Sequence, residues 1–446
     1  MPRNADREHP ASTAEPSSGP QPVEHSHGPE DLVNKEPETE LVRHLKSLIR
    51  FRGGPITIAE YMSEVLTNPT AGYYTQRDVF GTAGDFITSP EISQMFGEMV
   101  GIWCVALWQQ QGQPERLRIV ELGPGRGTLM ADLLRGTSAF KPFCRALEVD
   151  MVEISPVLRR LQWEALQCGP AYSEERMIGT SAYNGVQVQW HRSLDEVATD
   201  LPTVYIAHEF FDALPVHQFQ RTGRGWCERL VDIASPDSPL QLRLVLSPGP
   251  TPASRLLVQR RLEGLPADQR GALRQLEVSP QGMAAAEGLA KRVSQHGGAA
   301  LIIDYGQDRP YEASLQAIRQ HNFVGLLEQP GSADLSAHVD FSALKQAVEQ
   351  QDLGAECHGP ISQAQFLLSL GMEARLHQLL EHASEEQAEG LIAGFKRLVS
   401  GSLAEDEADG EGMGQSYKAF CIIPKGAALP VPFGPVEHEG PVSSRQ

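Results

Sequence analysis

The spacing of apolar residues along the chain predicts helices before residue 111 and alternating strands and helices after it. Leu41, Leu45 and Ile49 recur at helical spacing on one side of the first segment. Thr57 followed by Glu60 has the spacing of a capping box, which begins a second helix. The predicted helices of this region are residues 38–50, 57–66 and 91–110.

From Arg116 onward, short apolar runs alternate with helical segments, which is typical of a largely parallel sheet with helices on both faces. Between the fourth and fifth runs, Trp226–Ile233 and Leu240–Leu246 alternate like antiparallel strands and predict an inserted β-hairpin. The predicted strands of the main sheet are Leu117–Val120, Leu147–Glu153, Val186–Trp190, Thr203–Ala207, Ala299–Asp304 and Tyr417–Ile423.

These patterns predict an α/β protein with a helical N-terminal addition and two terminal segments too polar to fold. The boundaries between the predicted segments are placed where the spacing of apolar residues changes. The predicted segments are a disordered tail (1–37), the helical addition (38–115), a first part of the α/β core (116–225), a β-hairpin and helical insertion (226–298), a second part of the core (299–425) and a disordered tail (426–446).

Composition narrows the classes of function. The net charge of −19 over 446 residues makes nucleic acid a poor partner. The six cysteines form no CxxC pair, so we expect reduced thiols and no metal site. The sequence has no apolar run long enough for a membrane span. Residues 1–37 hold seven acidic and three basic residues, unlike a mitochondrial transit peptide, and alone they favour the cytoplasm.

A glycine-rich turn follows the first predicted strand, in the run Glu121-Leu-Gly-Pro-Gly-Arg-Gly127. Gly123, Gly125 and Gly127 let a ligand approach the backbone, and the following helix directs its N-terminus at that ligand. Glu153 ends the next strand, where a carboxylate accepts ribose hydroxyls. The GxGxG spacing disfavours NAD, and the missing Lys of a P-loop disfavours ATP. The pattern therefore indicates S-adenosylmethionine, whose ammonium group suits Glu121.

Two carboxylates after the fourth strand are candidates for the substrate side. Glu209 and Asp212 are three residues apart and can share one side of a turn, where they would hold a guanidinium and accept its proton. The alternative is that they merely begin a helix. Glu91 is either a site residue or a helix cap. His338 is either a pocket residue or a structural histidine.

Six motifs of this chain resemble one family. They are GPITIAEYM, NPTAGYY, GDFITSPEISQMFGE, VELGPGRGTLM, AHEFFDALPVHQF and AHVDF. Together they resemble the mitochondrial complex I assembly factor 7 family, also called MidA, from about Gly54 to Pro424. The resemblance implies a class I methyltransferase with a mostly parallel, Rossmann-like sheet of seven strands. It also implies a matrix enzyme that symmetrically dimethylates an arginine of the 49-kDa subunit (NDUFS2) of complex I.

By the same resemblance, the three glycines and Glu153 bind the cofactor and Glu209 faces the substrate. The sequence lacks the THW motif and the paired-Glu loop of better-known arginine methyltransferases. We expect Glu209 and Asp212 to take the role of the paired-Glu loop. Two other functions stay open. A closed pocket would favour a small-molecule methyltransferase, and carboxylates turned away from the cofactor would favour an assembly chaperone without turnover.

Overall fold

A computed structural model of the chain describes residues 36–76, 88–401 and 412–434. The predicted tails lie largely outside these ranges. The strands are β1 (Ile56–Thr57), β2 (Leu117–Leu122), β3 (Leu147–Val152), β4 (Cys168–Gly169), β5 (Ile178–Ser181), β6 (Gln187–His191), β7 (Thr203–His208), β8 (His217–Thr222), β9 (Gly225–Ile233), β10 (Leu242–Leu246), β11 (Gln275–Val278), β12 (Gly298–Gln307), β13 (Gln316–Arg319), β14 (Asn322–Val324), β15 (Asp334–Ser336), β16 (Val339–Asp340), β17 (Ala355–Ser362) and β18 (Tyr417–Pro424).

The helices surround these strands, with a 3₁₀ turn at Leu194–Glu196 and a π turn at Ser254–Val258. They are α1 (Glu40–Arg52), α2 (Ile58–Thr67), α3 (Tyr73–Gln76), α4 (Ser89–Ile92), α5 (Gln94–Gln110), α6 (Thr128–Gly136), α7 (Lys141–Ala146), α8 (Pro156–Ala165), α9 (Gln259–Glu263), α10 (Ala267–Ala272), α11 (Pro280–His296), α12 (Phe341–Glu349), α13 (Gln363–Ser369), α14 (Met372–Leu380), α15 (Glu385–Val399) and α16 (Met413–Ser416).

The central sheet has the strand order β17-β18-β12-β7-β2-β3-β6-β5-β4, with β16 beside β12. Strands β6, β3, β2, β7 and β12 run parallel, while β18 is antiparallel to β12. The chain moves outward from β2 in one direction and from β7 in the other. Ligands bind where such a sheet changes direction, at the carboxyl ends of its strands.

This sheet has ten strands in the described residues, where the resemblance implied seven. The three additional strands are short: β4 and β5 extend one edge, and β16 adds two residues next to β12. Strands of two to four residues leave little periodic signal, because a period cannot be read from so few positions. The shared feature is an α/β layer in which helices cover a mainly parallel sheet.

A second sheet, of five strands, lies outside the central one. It contains β8, the β9–β10 hairpin, β11 and β1, whose Ile56 pairs with Val231. The N-terminal region therefore contributes a strand as well as helices. At the other end, Phe433 packs on Phe366 with ring centroids 6.2 Å apart, so the packed chain continues beyond Lys425. In the described residues, no helix is long and apolar enough to cross a membrane.

Candidate active site

The glycine loop, Gly123–Gly127, joins the end of β2 to the start of α6. Its three glycines have φ values of +60°, +53° and +82°, in the left-handed region that side chains rarely adopt. A Cβ on Gly123 would lie 2.9 Å from Phe210 Cδ2, and one on Gly127 would lie 3.1 Å from Gln162 Cα. Both conformation and space therefore require glycine here.

Gln162 of α8 connects the glycine loop to the next strand. Its amide nitrogen donates to the Gly125 carbonyl at 2.8 Å and to Glu153 Oε2 at 3.1 Å. Its amide oxygen accepts from Trp190 Nε1 at 2.9 Å. The side chain is fully buried, and its bonds to Glu153 and Trp190 are shielded from water. Sequence reasoning missed Gln162, because a lone Gln on a helix carries no motif.

Two buried carboxylates end the strands on either side of this loop. Glu121 Oε2 has no hydrogen-bond partner among the described residues, and burial raises the Glu121 pKa to about 8. Glu153 accepts from the Ser155 N–H at 2.8 Å as well as from Gln162. Burial raises the Glu153 pKa to about 7 although these donors lower it. Buried polar atoms without partners are expected where a ligand supplies the partner.

The turn that follows β7 is held by Asp304 of β12. Asp304 Oδ2 accepts the N–H groups of Phe210, Phe211 and Asp212 at 3.2, 3.0 and 3.2 Å. Asp304 is fully buried, and this burial, with the nearby Glu209 charge, raises its pKa to about 8. One carboxyl group thereby fixes the backbone of the whole turn. No local motif marks Asp304, so sequence reasoning missed it.

Glu209 opens this turn in an unusual conformation, with φ at +47°. Its Oε1 accepts from the Ser89 N–H at 3.2 Å and lies 3.2 Å from His208 Nε2. Strained backbone of this kind costs on the order of 1–3 kcal/mol and is concentrated at functional sites. Glu91, beside Ser89, completes a capping box with Thr88, so the helix-cap interpretation of Glu91 is confirmed.

Asp212 closes the turn, and Asp334 of β15 faces it from another part of the chain. Asp212 Oδ1 has no hydrogen-bond partner among the described residues, and the side chain is only 9% exposed. Burial raises the Asp212 pKa well above its usual range, and the charges of Asp304 and Asp334 add to the effect. Asp334 in turn accepts from the Tyr74 hydroxyl at 2.7 Å. Neither Asp334 nor Tyr74 was singled out from the sequence.

These groups meet in one cleft of about 1100 Å³, a volume that includes its open mouth. Two of the residues predicted from sequence do not line the cleft: Gly127 is the N-cap of α6, and His338 lines two other cavities. Glu91 and Asp334 line the cleft as well. The predicted residues that line the cleft are Glu121, Gly123, Gly125, Glu153, Glu209 and Asp212.

The chain matches known proteins over most of its length. Residues 99–361 match the profile of a family described as a putative S-adenosyl-L-methionine-dependent methyltransferase. The chain is 39% identical over 390 residues to the protein arginine methyltransferase NDUFAF7, mitochondrial, of Danio rerio, with 86% of each chain covered. It is 38% identical to the human protein of that name over 418 residues, covering 92% of this chain and 86% of the relative. The chain belongs to this methyltransferase family.

A solved structure agrees with this assignment of the NDUFAF7 family. A Burkholderia thailandensis protein crystallised with S-adenosylhomocysteine is 26% identical, with a TM-score of 0.67. The match covers 86% of this chain and 91% of that one. The cofactor of this NDUFAF7-family chain is S-adenosylmethionine, and the α/β fold is a methyltransferase fold.

The raised pKa of Glu121 leads to a prediction about stability and pH. Its carboxyl group is protonated more readily in the folded protein, so its contribution to stability is complete below pH 4.5 and is lost as the pH rises through about 8. We expect Glu121→Gln to raise the free energy of unfolding of the ligand-free protein at pH 8. This effect should exceed the effect of the same substitution at pH 4.5 by an amount on the order of 4 kcal/mol. Urea unfolding between these two pH values measures it.

Glu174 is the matched control, because its side chain is exposed to water in the folded protein and Glu174→Gln is the same chemical change. We expect the Glu174→Gln protein to follow the wild type at every pH. If the stability of Glu121→Gln paralleled that of the wild type between pH 4.5 and pH 8, the Glu121 carboxyl group would not be the source of the dependence.

Proposed function

We propose that this chain transfers a methyl group from S-adenosylmethionine to an arginine of a protein substrate. The observation that carries the proposal is that Glu209 and Asp212 line the same cleft as the glycine loop. Two carboxylates suit a guanidinium, which binds them through paired hydrogen bonds. The relatives are named protein arginine methyltransferases, which supports the same substrate class.

The cofactor would lie along the carboxyl ends of β2 and β3. We assign the ribose hydroxyls to Glu153 and the ammonium group to Glu121, which lines the cleft and whose Oε2 has no hydrogen-bond partner among the described residues. The backbone of the glycine loop, at the start of α6, would hold the carboxylate of the methionine part. When bound, the cofactor supplies a methyl group on a sulfonium, which is a good leaving group.

The carboxylates would orient the guanidinium and take its proton as the new bond forms. In the transfer, a nitrogen–carbon bond forms while the sulfur–carbon bond breaks, and its electron pair stays on sulfur. One proton leaves the nitrogen for Asp212 or Glu209. The position of Asp212 suits this role, because a bound guanidinium would favour the ionised form of a carboxyl group that burial and neighbouring charges otherwise hold protonated.

The finer proposals follow the family resemblance. We propose the 49-kDa subunit (NDUFS2) of complex I as the substrate, symmetric dimethylarginine as the product and the mitochondrial matrix as the location. The relatives are named mitochondrial, which supports the organelle. With such a substrate, the reaction would belong to the assembly of complex I.

Transfer of labelled methyl from S-adenosylmethionine to the purified 49-kDa subunit tests the proposal. We expect label on arginine with the wild type, and a rate lower by about 100-fold or more with Glu209→Ala, since proton acceptance and orientation are lost. Asp232→Ala is the matched control, because Asp232 of β9 pairs with Arg243 of β10 and does not line the cleft. Mass spectrometry of the product distinguishes symmetric from asymmetric dimethylarginine.

Each alternative gives a different result. Cofactor binding without label on any protein or small molecule would favour an assembly chaperone. Label in a metabolite extract but not on protein would favour a small-molecule methyltransferase. Equal rates for the wild type and Glu209→Ala would contradict the role of Glu209.

A further inference from the structure

Three carboxylates line two cavities at once. Glu209, Asp212 and Asp334, which we call the acidic wall, contribute to the cleft and also to a second cavity of about 870 Å³, again including its open mouth. The second cavity contains none of the glycine loop, and neither Glu121 nor Glu153. The acidic wall therefore separates a space lined by the glycine loop from a space without it.

The second cavity, which we call the tyrosine cavity, has an aromatic lining. The rings of Tyr305 and Tyr417 have centroids 5.6 Å apart. His338 packs edge to face with Tyr305 and with Tyr311, at 5.0 Å from each centroid. Burial raises the pKa of Tyr305 and of Tyr417 well above the usual range, so both phenols stay neutral. Neutral aromatic rings around a carboxylate are surroundings that favour a flat cation.

The chain already places one guanidinium on this lining. Arg309 is exposed, and its guanidinium carbon lies 5.4 Å from the centroid of the Tyr311 ring. A guanidinium is planar and weakly hydrated, so it stacks on aromatic rings and still forms paired bonds with a carboxylate. A lysine ammonium is compact and strongly hydrated, and it gains less from such a cavity.

We propose that the substrate arginine reaches the acidic wall through the tyrosine cavity, while the cofactor occupies the cleft on the other side. The inference rests on the proposed function and adds the route of the substrate. Asp212 has the position that such a route requires, because it is buried and lines both spaces. His338 then acts by positioning Tyr305 and Tyr311 rather than by touching the cofactor.

Filling the tyrosine cavity tests this route. Gln316 lies on β13 and lines the tyrosine cavity, and a strand accepts Trp well. We expect Gln316→Trp to bind S-adenosylhomocysteine as the wild type does. We expect the same variant to bind N-acetyl-arginine amide at least about tenfold more weakly when saturated with S-adenosylhomocysteine, with a matching rise in KM for the protein substrate. Calorimetry and initial rates measure these quantities.

Gln220→Trp is the matched control, since Gln220 is a half-buried residue of β8 that lines neither cavity. Ser416→Phe fills the tyrosine cavity from α16 and serves if Gln316→Trp fails to fold. N-acetyl-lysine amide, tested in parallel on the wild type, should bind more weakly than the arginine compound.

The outcomes separate the route from the function. If both filled variants bound the arginine amide as the wild type does, the route would be overturned and the proposed function would stand. A loss of S-adenosylhomocysteine binding in folded Gln316→Trp would also overturn it, because the two spaces would not be separate. If the wild type bound no arginine amide and methylated no protein, the proposed function would fail, and the route with it.

Discussion

Gly125→Val is expected to weaken binding of S-adenosylhomocysteine by more than about 100-fold, through strain that the loop cannot relieve. Gly125 has φ at +53°, a conformation that is especially costly for a β-branched residue. The loop cannot simply turn over, because the Gly125 carbonyl accepts from the buried amide of Gln162 at 2.8 Å. A new backbone conformation would break that bond and displace the N–H groups that face the cleft. Calorimetric titration with S-adenosylhomocysteine measures the loss.

Gly185→Val separates this local effect from general backbone strain. Gly185 has φ at +69°, lies in the turn between β5 and β6, and has open space around an added Cβ. We expect Gly185→Val to lose stability comparably and to bind the ligand with wild-type affinity. Unchanged affinity in folded Gly125→Val would remove the glycine loop from the cofactor site.

The residues found from sequence share one property: they stand in short local patterns. The GxGxG spacing follows a buried strand and precedes a helix, so the order of elements predicts the loop without tertiary information. Glu153 and Glu209 were found because each directly follows an apolar strand. In a parallel sheet, such positions share one edge. The structure brings both residues into the cleft.

The residues missed from sequence act through contacts between distant segments. Asp304 binds the turn at Phe210–Asp212, more than ninety residues away. Asp334 reaches the cleft from a three-stranded sheet, β14-β13-β15, that no periodic pattern indicated. Such pairings depend on how distant segments of the chain fold against each other, which short-range spacing does not encode. His338 was found by its motif, but only the structure assigns it to the tyrosine cavity.

Local signals also explain why the sequence pattern does not predict β17, a strand at one edge of the central sheet. The sequence predicts all five parallel strands: β3, β2, β7 and β12 are largely buried runs, whereas β6 alternates exposed and buried residues. The sequence of β17 lacks such a continuous pattern, because Gly359 and Pro360 interrupt it. Its pairing with β18 also shifts register between His358 and Ile361. Gly and Pro within a strand are typical of edge strands and bulges, and in the sequence they make such a strand look like a loop.

Asp304→Ala is expected to lower kcat by about 100-fold or more while leaving the affinity for S-adenosylhomocysteine within a few-fold of the wild type. The substitution removes the acceptor of three N–H groups in the turn and of the Tyr305 N–H at 2.9 Å. Glu209 has a left-handed backbone that these bonds help to hold. Without them, we expect the turn to relax and Glu209 and Asp212 to move relative to the cofactor. A displacement of about 1 Å is enough for such a loss of rate.

Glu98→Gln is the matched control for removing a buried carboxylate. Glu98 is 4% exposed and binds Arg375 at 2.8 and 3.0 Å, away from both cavities. We expect Glu98→Gln to lower the midpoint of urea unfolding and leave kcat of the folded protein unchanged. Asp304 is a positioning residue, so Asp304→Asn, which keeps one oxygen acceptor, should recover part of the rate. If Asp304→Ala kept the wild-type kcat, the turn would not need its anchor, and the geometry of Glu209 and Asp212 would not limit methyl transfer.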